Sequence, residues 1–207
     1  MFENREEAGK LLAEKLVVYK DEGDVVVAGI PRGGVPVAAE IAKTLDLPLD
    51  VVVTRKIGAP GQEELAIGAI GPEGVSVFDE DLISRLGVSE DYKEQVVEDE
   101  TEEMNERIRK FRGSKKPQNF KGKTVIIVDD GVATGSTVEA SIKYLKMKGA
   151  SKTILAVPVA PLESVEELEA LVDKFIAIAT PDEFYAVGQF YKDFPQTEDE
   201  EVIRLLQ

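Results

Sequence analysis

The sequence predicts an α/β fold, a mostly parallel sheet flanked by helices. Three observations carry this. Short, continuous apolar runs recur along the chain, at 24–30, 49–57, 123–130, 153–160 and 174–180. Strands that are apolar throughout are buried on both faces, as in parallel sheets covered by helices. Between several of the runs lie segments with apolar residues at helical spacing, and no repeat or low-complexity linker interrupts the alternation.

Taken in order, residues 4–20 place Leu11, Leu12, Leu16 and Val17 on one helical stripe. DVVVAGI (24–30) is a strand that ends at PRGG, a tight turn. The helix at 35–47 sets Val37, Ile41 and Leu45 on its inner face. LDVVVTRKI (49–57) reads as a second strand, GAPGQEE (58–64) as a loop, LAIGAIG (65–71) as a third strand and VSVFDE (75–80) as a short fourth. Residues 89–113 form a long charged helix, with Tyr92, Val96, Met104, Ile108 and Phe111 in helical register. Glu103 with Arg107 and Glu106 with Lys110 are spaced for i,i+4 pairs, and the acidic run at 98–103 reads as a solvated face. After the strand at 123–130, a helix from Ser136 carries Val138, Ile142 and Leu145, with Ser136 and Glu139 at capping-box spacing. A strand at 153–160, a helix near 163–172 and a strand at 174–180 complete the alternation. The expected organisation is one domain over 1–207: a core at about 24–180, a helical insertion at about 80–113 and a small C-terminal hood at about 181–207.

Composition narrows the chemistry. The chain has 207 residues, no Cys and no His, and a formal net charge of −15. Disulfides, thiolate metal sites and imidazole bases are therefore excluded. An acidic surface repels phosphate backbones and argues against nucleic-acid binding. No apolar run reaches the ~20 residues of a membrane span. The first twenty residues lack the pattern of a signal peptide, so a cytoplasmic location is expected.

The stretch TVIIVDDGVATGSTVEAS (124–141) is the informative one. Four apolar residues run into Asp129 and Asp130, and then into a loop of small residues that feeds a helix. Ligands of parallel sheets bind beyond the carboxyl ends of the strands. A helix N-terminus there offers free amides and a positive dipole end to a phosphate. Thr134, Ser136 and Thr137 add hydroxyls, and the two carboxylates can accept bonds from vicinal hydroxyls. The combination suggests a sugar phosphate. The plain alternative is a capped strand-to-helix turn. Neither the Walker A nor the G-x-G-x-x-G pattern is present.

The stretch resembles the phosphoribosyl pyrophosphate (PRPP) motif of type I phosphoribosyltransferases. The resemblance implies that Asp129 and Asp130 hold the ribose hydroxyls, and that Ala133, Thr134, Gly135, Ser136 and Thr137 hold the 5′-phosphate. GIPRGG (29–34) lies where the family carries its pyrophosphate loop, which assigns Arg32, Gly33 and Gly34 to pyrophosphate. TRKIGAPGQEELAIG (54–68) lies where the family often has basic residues and a mobile catalytic loop. Arg55 and Lys56, with Asp130, are the candidates for catalysis. PDEFYAVG (181–188) resembles the base-binding segment of hypoxanthine-guanine phosphoribosyltransferases, with one extra residue before Val187. It implies base binding by Phe184, Tyr185 and Val187, with Lys174 as the candidate for a purine keto group. The chain as a whole is most similar to a bacterial and archaeal branch known only as predicted phosphoribosyltransferases.

The implied enzyme is Mg²⁺-dependent, with the metal held mainly by PRPP and water and by no direct protein ligand. It would transfer the ribosyl 5-phosphate group to a small nitrogen acceptor, a nucleobase with 6-oxopurine favoured, and release pyrophosphate. A homo-oligomer is open. The rivals are a non-catalytic PRPP- or nucleotide-sensing regulator on the same fold, a PRPP synthetase, for which the chain is short, and a phosphohydrolase or nucleotide pyrophosphorylase of another fold.

Overall fold

The computed structural model describes residues 1–113, 115–133 and 135–207. Five parallel strands form the main sheet: β1 (Val25–Gly29), β2 (Leu49–Val51), β6 (Thr124–Val128), β7 (Lys152–Val159) and β8 (Lys174–Ala179). Their spatial order is β2-β1-β6-β7-β8. Side-chain alternation splits β1 between two cores. Val25 and Val27 face α1 (Arg5–Lys15) and α2 (Gly34–Leu45), while Val26 and Ala28 face the core beneath α5 (Ser136–Met147) and α6 (Leu162–Glu169). The central strand β6 is covered on both faces, and Val125, Ile126, Ile127 and Val128 are all fully buried. At about 1.5–3 kcal/mol per buried side chain, this strand is a principal source of cohesion. Val37, Ile41 and Leu45 of α2, and Val138, Ile142 and Leu145 of α5, face inward as their spacing predicts.

The chain between β2 and α5 departs from expectation. The run at 49–57 is two strands in two sheets, because the backbone leaves the main sheet after Val51 and begins a second sheet as β3 (Arg55–Ala59). The segment 58–64 is no open loop. β3 turns through Gly61, whose φ is 70°, into β4 (Gln62–Ile70), and β5 (Ser76–Phe78) completes a second, antiparallel sheet. The apolar run hid this break, since Val51, Val52 and Val53 stay buried through the bend.

The insertion contains two helices, α3 (Glu80–Leu86) and α4 (Glu90–Arg112), where one was expected from 89 onward. Ser89 caps α4 by accepting a bond from the Tyr92 amide at 3.2 Å. Met104, Ile108 and Phe111 pack on Ile57, Ile67 and Ile70 of the second sheet and on Val202 and Leu206 of α7 (Asp199–Leu206). The charges of α4 do more than solvate a face: Glu100 and Glu103 bind Arg55, and Lys110 binds Asp199.

Two smaller expectations are corrected. Leu11 and Val17 point outward, and the inner face of α1 is made of Ala8, Leu12 and Ala13, with Leu16 just beyond its end. Gly135, not Ser136, is the N-cap of α5, and Glu139 pairs with Lys143 one turn on.

The C-terminal end of α4 is fastened by charge. Asp50, 3% exposed on β2, accepts from Arg112 Nε at 2.9 Å and Nη2 at 3.1 Å, and from the amides of Val51 and Gln118. Removing one partner of such a buried pair leaves the other charge uncompensated, typically at about 3–5 kcal/mol. Arg112→Ala should therefore lower unfolding free energy by roughly that amount, and the double change with Asp50→Ala should cost clearly less than the sum. Chemical denaturation of the four proteins checks this.

Candidate active site

Asp129 and Asp130 directly follow β6, at the carboxyl edge of the sheet where the sequence places them. The loop after β1 lies against them. A Cβ added at Gly34 would come within 2.6 Å of the Val128 carbonyl oxygen and 2.8 Å of Asp129 Cα. One added at Gly33 would meet Asp130 Oδ2 at 2.0 Å. The two glycines thus allow the pyrophosphate-loop candidates to approach the acid pair more closely than any larger residue could. The Pro31–Arg32 peptide is cis. Arg32 lines a cleft with Gly33 and Asp130 and pairs with Asp199 at 3.5 Å. The Lys110 ammonium beside Asp199 holds that carboxyl below its ordinary range.

The principal partner of Asp130 is a residue the sequence reading missed. Arg5, the first residue of α1, donates from Nε and approaches with Nη2, both at 2.8 Å from Asp130 Oδ2. The two side chains are 11% and 14% exposed, so the pair is largely shielded from water. The Arg5 guanidinium lies 3.8 Å from the centroid of the Phe194 ring, and Nη1 donates to the Pro195 carbonyl at 2.7 Å. The Tyr191 hydroxyl donates to the Asp130 carbonyl at 2.6 Å. Burial pushes the Asp130 carboxyl up, against the pull of Arg5. Burial first, and the Asp130 charge second, push the Asp129 carboxyl upward. Burial likewise raises the Tyr191 hydroxyl. No local pattern could flag Arg5, because it meets Asp130 across 125 positions of sequence.

Beyond the aspartates, the loop reaches α5. Gly135 caps the helix with φ 76°, a left-handed conformation that favours glycine. The first-turn amides of α5 have no intrahelical acceptor and sit at the positive end of its dipole. A cleft of about 190 Å³ is lined by Asp129, Ala133, Gly135, Thr137 and Val187, among others. Thr134 lies outside the described residues, and the placement described for Ser136 is limited to its backbone. A Cβ at Gly135 would lie 3.3 Å from Leu168 as well as straining the backbone, so a valine there would disturb the local fold along with the cradle.

Arg55 and Lys56 border a second cleft, of about 490 Å³, which Thr137 also lines. The link between them is direct. Thr54 is within 2.9 Å of the Ser141 hydroxyl, and both hydroxyls donate to the Thr137 carbonyl, at 3.3 and 2.9 Å. Arg55 is engaged by Glu100 at 2.8 Å and Glu103 at 2.5 Å, while Lys56 is exposed. A third cleft, of about 480 Å³, opens on the other side of the acid pair and is lined by Arg5, Arg32, Gly33, Asp130, Val187 and Phe194, among others.

The base-binding candidates are only partly brought together. Val187 reaches the clefts, fixed by its close approach to Gly131. Phe184 packs on Phe190 at 5.3 Å in a core with Phe2, Val159 and Tyr191, and lines none of the three clefts. Tyr185 is 85% exposed and lines none of them either. Lys174 begins β8, at the amino edge of a parallel sheet and so at the opposite end from the acid pair, with its ammonium over Tyr19. The hood is built from both ends of the described chain: Phe2 and Tyr191 form a parallel bridge, flanked by bonds from the Phe2 amide to Phe190 and from the Lys192 amide to Phe2. α7 packs back on α4 instead of extending the hood.

The Gly33 contact gives a clean test of this geometry. Its φ and ψ, −61° and −33°, suit alanine, so Gly33→Ala introduces a clash with Asp130 and no backbone strain. Overpacking of this kind costs about 1–3 kcal/mol. Thermal unfolding of Gly33→Ala, Asp130→Ala and the double variant should show strong non-additivity, the double recovering most of the Gly33→Ala loss.

Comparison with known proteins identifies the family. Two Mycobacterium tuberculosis proteins, from strains CDC 1551 and H37Rv, carry the provisional name phosphoribosyl transferase and are each 42% identical over 206 residues. The match takes in 100% of this chain and 46% of theirs, so the chain spans about half the length of these curated relatives. The crystal structure of TT1426 from Thermus thermophilus superposes with a TM-score of 0.91 at 39% identity, covering 100% of this chain and 97% of that one. A hypothetical protein from Neisseria gonorrhoeae, 18% identical with a TM-score of 0.50 over 98% of this chain and 90% of its own, shares the fold. The family model for the phosphoribosyl transferase domain matches residues 2–194, and the chain belongs to that family.

Proposed function

We propose that the protein transfers the ribosyl 5-phosphate group of PRPP to a nitrogen nucleophile. The nitrogen–C1 bond forms as the bond from C1 to the pyrophosphate oxygen breaks, and pyrophosphate leaves with the electron pair. The observation that carries this reading is the continuity of the site. Thr137 is common to the phosphate-loop cleft and the Arg55–Lys56 cleft, and Val187 is common to the clefts on the two sides of the acid pair. One extended substrate with a phosphate, a diol and a pyrophosphate suits this row.

In this reading the α5 amides with Ala133, Gly135 and Thr137 take the 5′-phosphate. Asp129 and Asp130 take the ribose hydroxyls. Gly33, Gly34 and Arg32 take the pyrophosphate. Lys56 borders the cleft that shares Thr137 with the phosphate loop, and a cation there stabilises charge as it develops on the leaving group. Among the described residues no group of three or more His, Cys, Asp or Glu could hold a metal ion. PRPP would enter as its magnesium complex, since Mg²⁺ keeps several waters and binds through substrate phosphates. The acceptor is a small nitrogen compound, with a nucleobase and in particular a 6-oxopurine as the starting choice. Val187 is the hood residue placed to meet it. Among the described residues no helix is long and apolar enough to cross a membrane, and a cytoplasmic enzyme, homo-oligomeric or not, fits this reading. The pairing of Arg55 with two carboxylates favours one rival: a sensor that binds PRPP or a nucleotide without turnover.

Two measurements test the proposal. Calorimetry with PRPP and Mg²⁺ should show binding that Asp129→Asn with Asp130→Asn weakens, at about 1.5–3 kcal/mol for each charged acceptor lost. Unchanged affinity would reject the ribose assignment. Pyrophosphate release with a panel of purines, pyrimidines and other amines separates enzyme from sensor. With a working acceptor, Lys56→Ala should lower kcat at least tenfold, about 1.4 kcal/mol of transition-state stabilisation, and leave KM for PRPP nearly unchanged. A raised KM with kcat intact would make Lys56 a simple binding residue.

A further inference from the structure

Asp130 needs to be an anion if it is to accept bonds from sugar hydroxyls, yet its surroundings oppose this. It is next to a second carboxyl, it is largely shielded from water, and its carbonyl side is closed by the Tyr191 hydroxyl. The charged and titratable groups that face it are Arg5 from α1, Asp129 from its own strand end and Tyr191 from the hood, with Arg32 lining the same cleft. Arg5 is the cation in contact with it, and the guanidinium is not a loose surface charge. The Phe194 ring supports one face at 3.8 Å, Pro195 accepts from Nη1, and Tyr191 stacks on Phe194 at 4.7 Å. The aromatic segment therefore holds a cation in a fixed place over the acid pair.

We propose that Arg5 is a positioning residue for the acid pair: clamped by Phe194 and Pro195, it holds Asp130 ionised and in place for the sugar, and so joins substrate recognition to the docking of the hood. The proposal rests on the phosphoribosyltransferase reading for the identity of the sugar, and on contacts alone for the clamp. Arg5 acts through Asp130 and touches no reacting atom. It also changes the role of the aromatic segment. With Arg5 at Phe194 on one side and Tyr191 stacked on it, the ring serves to seat a guanidinium instead of a base.

An adjacent Arg lowers a carboxyl pKa by about 1–3 units. The Asp130 pKa should rise by that amount in Arg5→Gln, read from carboxyl NMR of the free protein, and should stay near the wild-type value in Arg5→Lys. PRPP affinity measured across pH should then lose its acid side: the pH of half-maximal affinity moves up with the Asp130 pKa in Arg5→Gln, the curves converge at high pH, and Arg5→Lys restores most of the shift. Phe194→Leu keeps the charge and removes its seat, and should give an intermediate shift. Curves for Arg5→Gln and wild type that run parallel, with affinity reduced by one factor at every pH, would mean a purely structural role and overturn the proposal. If wild type binds no PRPP, the functional reading fails. The carboxyl titration then decides by itself, and an Asp130 pKa unmoved by Arg5→Gln overturns the Arg5 assignment. A poorly folded Arg5→Gln leaves the decision to Arg5→Lys and Phe194→Leu, and unshifted titrations in Phe194→Leu count against the clamp.

Discussion

Placing Asp129 and Asp130 side by side at the end of β6 costs desolvation twice and like-charge repulsion once. Carboxyls in that position drift toward their neutral form unless something compensates, and both are pushed upward here. Much of the surrounding architecture supplies the compensation. α1 brings a guanidinium to the Asp130 carboxylate, and the hood brings a hydroxyl to its main-chain carbonyl. The β1–α2 turn is glycine because the carboxylate occupies the space a side chain would need. The conformation of three distant segments is thus tied to one pair of acids.

The second sheet has a comparable dependence on the insertion. β3 and β4 present apolar residues on one side, and a three-stranded antiparallel sheet of this size cannot cover them alone. α4 does so with Met104, Ile108 and Phe111, and its acids reach round to Arg55. The insertion is therefore the lid of a core, and its acids also pair with a cation at the edge of the candidate site. Thr54 links that edge to the first turn of α5, so displacement of the hairpin would be felt at the phosphate loop.

Legibility in the sequence followed the range of the interactions involved. The five strands of the main sheet and the inner faces of α2 and α5 were readable because they are set by local periodicity. So was the acid pair with its loop, a contiguous motif at a strand end. The bend after Val51 was not, since both sides of it are apolar and the change is of partner, not of pattern. Leu11 and Val17 misled because an apolar residue near a helix end can be exposed at little cost. Lys174 was assigned by likeness of motif, and only the direction of β8 reveals that it stands at the wrong edge. Arg5 depends on two chain segments meeting at the hood, which no window of sequence contains.

The Tyr191 hydroxyl, bonded to the main chain of Asp130, gives the molecule an intrinsic optical reporter. The chain has no Trp and five Tyr, so phenols dominate its ultraviolet emission. Tyr185 is bathed in solvent, whereas Tyr191 is buried, stacked on Phe194 and hydrogen-bonded at the acid pair. A ligand that shifts the Asp130 main chain would change the surroundings of that phenol, so the protein's own tyrosine emission offers a label-free probe of the cleft.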